Sequence, residues 1–259
     1  MKHIFATILA LCCVSAALAQ VVLAGHRGSY RGVENTQEAF VNGVHYYGYT
    51  ALECDVKATG DGQLVCCHDN DLTRLGHDSL KLSDFTLEQL QQLTLTQQRG
   101  DSLYTATLCT VDSYLQICAE LQVFPIIELK WTDGINNNDM SRFPQLYALI
   151  QKHRLVSQAV ILTSMKNSLD YVRANFPDLQ CQYLCYELTP ERIEWCIQRS
   201  IHPSVRRGGL TPEAIQRCHE AGLKVAVWCV NTHEDYLLYK HMGCDIMTCD
   251  YLLTDNLPQ

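Results

Sequence analysis

Two carboxylates and an imidazole stand close together in A-L-E-C-D-V-K-A-T-G-D-G-Q-L-V-C-C-H-D-N-D-L-T-R, residues 51–74. The stretch opens as apolar, β-branched strand sequence interrupted by Glu53 and Asp55. Residues two apart on a strand share a face. Glu53 and Asp55 therefore point one way, and Leu52, Cys54 and Val56 the other. Thr59-Gly60-Asp61-Gly62 has the composition of a tight turn. Gln63 to Cys67 then reads as a short returning strand that delivers His68. Each residue alone has an ordinary structural explanation. Together, at this spacing, two acids and a histidine at one end of a hairpin argue for metal or acid–base chemistry.

Such a hairpin needs a scaffold, and the rest of the chain reads as one. Val21 to Gly25 is a first strand ending in His26-Arg27-Gly28. Asn35 or Thr36 can cap a helix over Gln37 to Tyr46, and Gly48 stops it. After the second strand and His68 comes a polar insertion, Asp69 to Leu108, carrying one short helix over Thr86 to Leu93. Helix returns from Thr110 to Leu121. Regular alternation follows, with strands at Val123–Leu129, Ala159–Leu162, Gln180–Cys185, Ile201–Val205, Lys224–Val230 and Asp245–Cys249. A polar loop runs through Asn136-Asn137-Asn138, and helices are expected over Ser141–His153 and Asn167–Asn175. Thr189-Pro190-Glu191 and Thr211-Pro212-Glu213 are helix starts, with Pro in the first turn and Glu near the positive helix end. Eight strand–helix alternations in about 240 residues predict an α/β fold, a (β/α)8 TIM-type barrel with a short insertion after the second strand.

The active site of such a barrel lies at the C-terminal ends of its strands, and the unusual polar residues fall there. His26 and Arg27 follow strand one. Glu53 and Asp55 lie late in strand two. Glu128 lies late in strand three, with Lys130 on its face. Trp228 and Asn231 end strand seven. Glu53, Asp55 and Glu128 would share one barrel mouth, where burying uncompensated carboxylates costs several kcal/mol each. All-oxygen ligation selects a hard cation, Ca²⁺ or Mg²⁺. The competing reading pairs the acids with Lys130, Arg27 or Lys57 and needs no metal. His26 and His68 suit general acid and general base work near neutral pH. Arg27 and Lys130 offer positive charge to a phosphate or carboxylate, or else bridge the acids. Trp228 is either core or pocket wall.

The 259 residues, 47% of them hydrophobic, suffice for one large core. Met1-Lys2-His3, the apolar run Ile4–Val14 and Ala17-Leu18-Ala19 read as a secretory signal peptide cut after Ala19. The domain would then be 20–259 and the protein periplasmic or secreted. The apolar run is too short for a membrane span, and no later segment reaches that length. The chain carries 20 Lys+Arg against 28 Asp+Glu, a net charge of −8, which becomes −9 when the leader takes Lys2 with it. That balance disfavours nucleic-acid backbones. Of 14 cysteines, 12 follow Ala19. Many sit inside apolar runs without paired CxxC spacing, so mostly free, buried thiols are expected and structural zinc is not.

G-H-R-G at 25–28, E-N-T at 34–36, E-C-D-V at 53–56, D-G-Q-L-V at 61–65, H-D at 68–69, E-L-K at 128–130 and V-W-C-V-N at 227–231 closely resemble the motifs of the glycerophosphodiester phosphodiesterase family. D-I-M-T-C-D at 245–250 resembles its last strand. The resemblance spans nearly the whole chain after the leader, in order. It implies a barrel with a small insertion after strand two, His26 and His68 as the acid–base pair, and Glu53, Asp55 and Glu128 holding a divalent metal. It also implies phosphate contacts from Arg27 and Lys130, and Trp228 on the alcohol pocket. The insertion is short, and Ala106-Thr107-Leu108 stands where the family has Pro-Thr-Leu. The activity implied is metal-dependent cleavage of a small-molecule glycerophosphodiester to glycerol 3-phosphate and an alcohol. Two rivals stand beside it: a phospholipase D-like lyase on intact lipid, which keeps the same residues but stops at a cyclic phosphate, and a non-catalytic barrel that binds a sugar or lipid headgroup. The histidine pair argues against the second.

Overall fold

The computed structural model describes residues 21–130 and 139–256. The first half runs β1 (Val22–Gly25), α1 (Gln37–His45), β2 (Ala51–Ala58), β3 (Leu64–Cys66), α2 (Leu87–Gln91), β4 (Leu95–Arg99), β5 (Ser102–Ala106), α3 (Val111–Leu121) and β6 (Phe124–Leu129). The second half runs α4 (Phe143–Lys152), β7 (Val160–Thr163), α5 (Lys166–Asn175), β8 (Gln180–Cys185), α6 (Pro190–Arg199), β9 (His202–Arg206), α7 (Pro212–Glu220), β10 (Ala226–Trp228), α8 (His233–Met242) and β11 (Ile246–Cys249). Eight of these strands pair in parallel in the order β1, β2, β6, β7, β8, β9, β10, β11, and β11 pairs back onto β1. The barrel is closed, as the alternation predicts. The expected leader over 1–19 and the Asn136–Asn138 loop lie outside the described residues.

Strand parity decides which side chains face the lumen. Leu52, Cys54 and Val56 of β2 are buried in the cluster shared by the strands and the surrounding helices. Ala51, on the opposite face, packs with Ala24, Ile126, Val160 and Leu162 as an apolar floor inside the barrel. Fully burying one such branched side chain stabilises by about 1.5–3 kcal/mol. Above this floor the same strand faces carry acids. The parallel register sets Asp55 beside Glu128 and Glu53 beside Ile126.

The helix starts follow their capping residues. The hydroxyls of Thr110, Thr189, Thr211 and Thr232 each accept a backbone N–H in the first turn of α3, α6, α7 and α8, an interaction worth about 1 kcal/mol apiece. α1 departs from this pattern. Thr36 occupies its N-cap position, but its hydroxyl donates to the Val33 carbonyl and caps nothing.

The insertion holds more structure than one helix. Besides α2 it contains two short 3-10 turns, Thr73–Leu75 and Leu82–Asp84, and the antiparallel hairpin β4–β5. Val65, Cys67, Leu72, Leu75, Leu82, Leu90, Leu95 and Leu108 form a small core of their own beneath it, together with Val33. All twelve cysteines among the described residues are unbridged, and all but Cys229 are buried. Burial pushes the Cys54 and Cys67 thiols up to about 12, which makes them inert packing groups. Among the described residues, no helix is long and apolar enough to cross a membrane.

Candidate active site

His26, Arg27, Glu53, His68, Glu128, Lys130 and Trp228 line one pocket of about 250 Å³ at the C-terminal mouth of the barrel. Asp55 lies at its base, 1% exposed. One carboxylate oxygen from each of Glu53, Asp55 and Glu128 falls within 4.8 Å of the others. All eight residues singled out in the sequence are therefore brought together. Arg27 reaches its place through a left-handed backbone at φ 52°, followed by Gly28 at φ 90°. A Cβ on Gly28 would lie 2.7 Å from the Ala39 backbone, so only glycine permits this turn against α1. The turn aims the Arg27 backbone N–H at Glu53 Oε2, 2.8 Å away.

The bases present do not neutralise all three acids. The Arg27 guanidinium lies 2.9 Å from Glu34 and 3.3 Å from Asp55. The Lys130 ammonium lies 2.9 Å from Glu128 and 3.7 Å from Asp55. Lys57 is turned away and donates to the Asn70 side chain and the Lys130 carbonyl. Glu53 Oε1 and Asp55 Oδ1 are buried with no hydrogen-bond partner among the described residues. Leaving a buried charged acceptor unpaired costs more than the roughly 1–3 kcal/mol of a neutral one. Burial, reinforced by the neighbouring Asp55 charge, pushes the Glu53 carboxyl well above the usual carboxylate range. Glu128 rises for the same two reasons, despite Lys130. Crowded, partly unpaired oxygens of this kind fit a hard divalent cation.

The two imidazoles are oriented differently. His26 Nδ1 shares a proton with Asp250 Oδ1 at 2.7 Å. Asp250 is held in turn by Asn231, whose amide donates to Oδ2 at 2.6 Å and accepts from the Asp250 backbone N–H at 2.8 Å. Burial alone would lower the basicity of His26, but the hydrogen bonds to Asp250 and then Cys229, followed by the charge on Glu53, outweigh it and raise it well above the ordinary value. His68 Nδ1 pairs with Asp69 Oδ1 at 2.6 Å, and Arg74 also binds Asp69. Burial, aided by the nearby Arg27 and Lys130 charges, lowers His68 below the ordinary value. Two histidines whose proton affinities are driven apart are suited to opposite roles.

A second tier of residues holds these in place, and the sequence shows them only as motif letters. Asn35, at φ 59°, donates from its amide to Asp55 Oδ2 at 2.9 Å and accepts from the Asp55 backbone N–H at 3.1 Å. The Asn35 side chain therefore serves the acids and does not cap α1. Glu34 is 4% exposed and gathers Arg27, Arg74 and Gln97 by hydrogen bonds, with Arg99 at 3.5 Å. The last three come from the insertion. Glu34 thus ties insertion to barrel beside the mouth of the pocket. Its own polar neighbours hold its carboxyl far below the usual range, burial notwithstanding.

The family model for the glycerophosphoryl diester phosphodiesterase family matches residues 25–254. The chain belongs to that family. The match begins one residue before His26 and includes the seven pocket residues and Asp55, together with Glu34, Asn35, Asp69, Asn231 and Asp250. The chain is 25% identical over 239 residues to a glycerophosphodiester phosphodiesterase of Caldanaerobacter subterraneus, covering 89% of this chain and 94% of that one. It is 23% identical over 235 residues to a glycerophosphodiester phosphodiesterase of Bacillus altitudinis, covering 88% and 92%. The barrel superposes with a TM-score of 0.76 on an Oleispira antarctica phosphodiesterase solved in complex with the product sn-glycerol-3-phosphate. That likeness, at 19% identity and covering 89% of this chain and 93% of the other, concerns the fold. The family's barrel with an insertion after the second strand is the architecture seen here.

Proposed function

We propose that this chain hydrolyses glycerophosphodiesters to glycerol 3-phosphate and an alcohol, with a divalent cation, Ca²⁺ or Mg²⁺, held by Glu53, Asp55 and Glu128. One observation carries the reading. Glu53 Oε1 is buried without a hydrogen-bond partner among the described residues, beside Asp55 and Glu128, on a pocket that two imidazoles also line, each oriented by its own aspartate. When bound, such a cation supplies counter-charge to phosphate oxygens and acidifies a hydroxyl next to it.

The remaining chemistry belongs to the chain's own side chains. Arg27 and Lys130 meet the phosphate, exchanging part of their contact with the acids for contact with the substrate. His68, the less basic imidazole, takes a proton from the attacking hydroxyl. His26, kept protonated by Asp250, gives a proton to the departing alcohol oxygen. The indole N–H of Trp228 is buried on the pocket wall without an acceptor among the described residues. It is suited to donate to a substrate oxygen. Cys54 and Cys67 face packed cores, away from the pocket, and supply no nucleophile. The glycerol hydroxyl adjacent to the phosphate is the better attacking group, because a well-oriented intramolecular nucleophile reaches an effective molarity of about 10⁵ M or more. The route then passes through a cyclic phosphate that water opens.

A panel of glycerophosphodiesters, with liberated glycerol 3-phosphate as the readout, tests the assignment and gives the leaving-alcohol preference. Release from none of them, in Mg²⁺ or Ca²⁺, would overturn it. Accumulated cyclic phosphate that is never opened would transfer the reading to the lyase. We also propose, from residues 1–19 alone, that the protein is exported. Intact-mass measurement of the protein recovered outside the cytoplasm should give a chain starting at Gln20, and a retained leader would refute this.

A further inference from the structure

We propose that His26, Cys229 and Asp250 form a second metal site, separate from the three carboxylates, which takes zinc and reversibly inhibits the enzyme. The three residues come from different strand ends: His26 after β1, Cys229 after β10 and Asp250 after β11. One donor atom from each lies within 4.8 Å of the others. Cys229 Sγ is 3.7 Å from His26 Nδ1. With zinc–nitrogen bonds of about 2.0–2.1 Å and zinc–sulfur bonds of about 2.3 Å, a tetrahedral nitrogen–sulfur edge is about 3.5 Å. The imidazole and the Asp250 carboxylate, 2.7 Å apart around a shared proton, part by about 0.7 Å when the ion replaces that proton.

The donor set differs in kind from the neighbouring one. Glu53, Asp55 and Glu128 offer oxygen alone and select hard ions. Nitrogen, thiolate sulfur and one oxygen select a borderline ion such as zinc, with a fourth position open to the pocket. Ligands bind deprotonated, so zinc displaces to solvent the proton held between His26 Nδ1 and Asp250 Oδ1 and the proton of the Cys229 thiol. All three donors can be reached: His26 and Asp250 are about a quarter exposed, and Cys229 is the one partly exposed cysteine among the described residues. Asn231 clamps Asp250 from behind by two hydrogen bonds, the outer support that ligating carboxylates generally have.

Zinc on Nδ1 removes the proton that His26 holds with Asp250, so the general acid is lost. The inhibition, though not the site, rests on the role given to His26 above. The test uses the full chain in saturating Mg²⁺, with Co²⁺ as a spectroscopic stand-in for zinc. Co²⁺ should give a near-ultraviolet thiolate-to-cobalt charge-transfer band at one equivalent. Zinc should displace it over the concentrations that inhibit hydrolysis. Cys229→Ser should lose the band and need at least about tenfold more zinc for half-inhibition, relative to its own zinc-free rate. Glu53→Gln should keep the band. A band surviving in Cys229→Ser, equal zinc inhibition of that variant, or a band lost in Glu53→Gln would each overturn the proposal. A normal band in a protein that hydrolyses nothing would leave the site standing and remove the hydrolytic reading instead.

Discussion

Asp250→Asn removes one negative charge beside His26 and keeps the side chain's volume. The carboxylate lies 2.7 Å from His26 Nδ1, and Asn231 holds it there. A hydrogen bond to a charged group is worth about 1.5–3 kcal/mol. One pKa unit corresponds to about 1.4 kcal/mol. Both side chains are about a quarter exposed, 25% and 27%, so water screens the pair and the lower half of that range applies. His26 should therefore lose about one pKa unit. Under the proposed assignment, hydrolysis needs His26 protonated and His68 neutral. His26 is raised, so its protonated form persists above the ordinary value of about 6.5 and is lost as pH climbs through the raised one. His68 is lowered, so its neutral form survives below the ordinary value and is lost as pH falls through the lowered one. The pH profile of kcat/KM should be bell-shaped, with limbs on either side of the ordinary histidine value. In Asp250→Asn the alkaline limb should move down by about one unit while the acid limb stays. An alkaline limb that does not move, even with a slower rate, would mean that His26 is not the acid and that Asp250 only packs.

His26→Ala and His68→Ala should each lower kcat by about 10²–10⁴, with a much smaller change in substrate binding; a near-native rate in either variant would remove that residue from the pair. A matched diester lacking the hydroxyl adjacent to the phosphate should bind comparably yet turn over at least about a hundredfold more slowly, about 3 kcal/mol in the barrier. Equal kcat values would point to direct attack by water. Glu34→Ala leaves three guanidinium groups facing one another around a buried gap, and should destabilise the fold by about 3 kcal/mol. In a domain of this size Tm should drop by roughly 6–12 °C. The Glu34 pKa is depressed in the folded protein, so its contribution is full above the unfolded carboxylate value and fades as pH falls toward the depressed one. The difference between wild type and variant in thermal unfolding should therefore shrink in acid, and an unchanged Tm at neutral pH would contradict the role given to Glu34.

Much of the site could be read before the fold was known because strand parity is a local rule. Glu53 and Asp55 alternate with Leu52, Cys54 and Val56, so one face had to be polar whatever the strand packed against. Counting strand–helix alternations then put His26, Glu128, Lys130 and Trp228 at the same barrel end. What stayed hidden depends on contacts remote in sequence. Asp250 meets His26 across 224 positions, because β11 closes the barrel against β1. Nothing local marks it beyond its place at the end of the last strand. Arg74 and Arg99 look like solvated charge in a polar insertion until the buried Glu34 is seen to gather them. The β4–β5 hairpin was missed for a related reason. Its residues, Thr96, Gln97 and Gln98 among them, are largely polar and half exposed, so the apolar alternation that marks a strand is absent. The turn Gly100-Asp101, with Gly100 at φ 56°, was the available signal. At Thr36 the capping rule named the right position and the wrong bond, because that hydroxyl fastens the 33–36 turn.

Metal dependence of product formation reaches the central claim most directly. The protein should be stripped with chelator, shown to be metal-free by elemental analysis, and incubated with a glycerophosphodiester while phosphorus resonances are followed. The diester signal should persist until Mg²⁺ or Ca²⁺ is added and then give way to the monoester signal of glycerol 3-phosphate. Glu53→Gln should need more metal for the same rate and stay folded. A monoester signal growing at full rate in the metal-free protein, under excess chelator, would contradict the assignment of Glu53, Asp55 and Glu128.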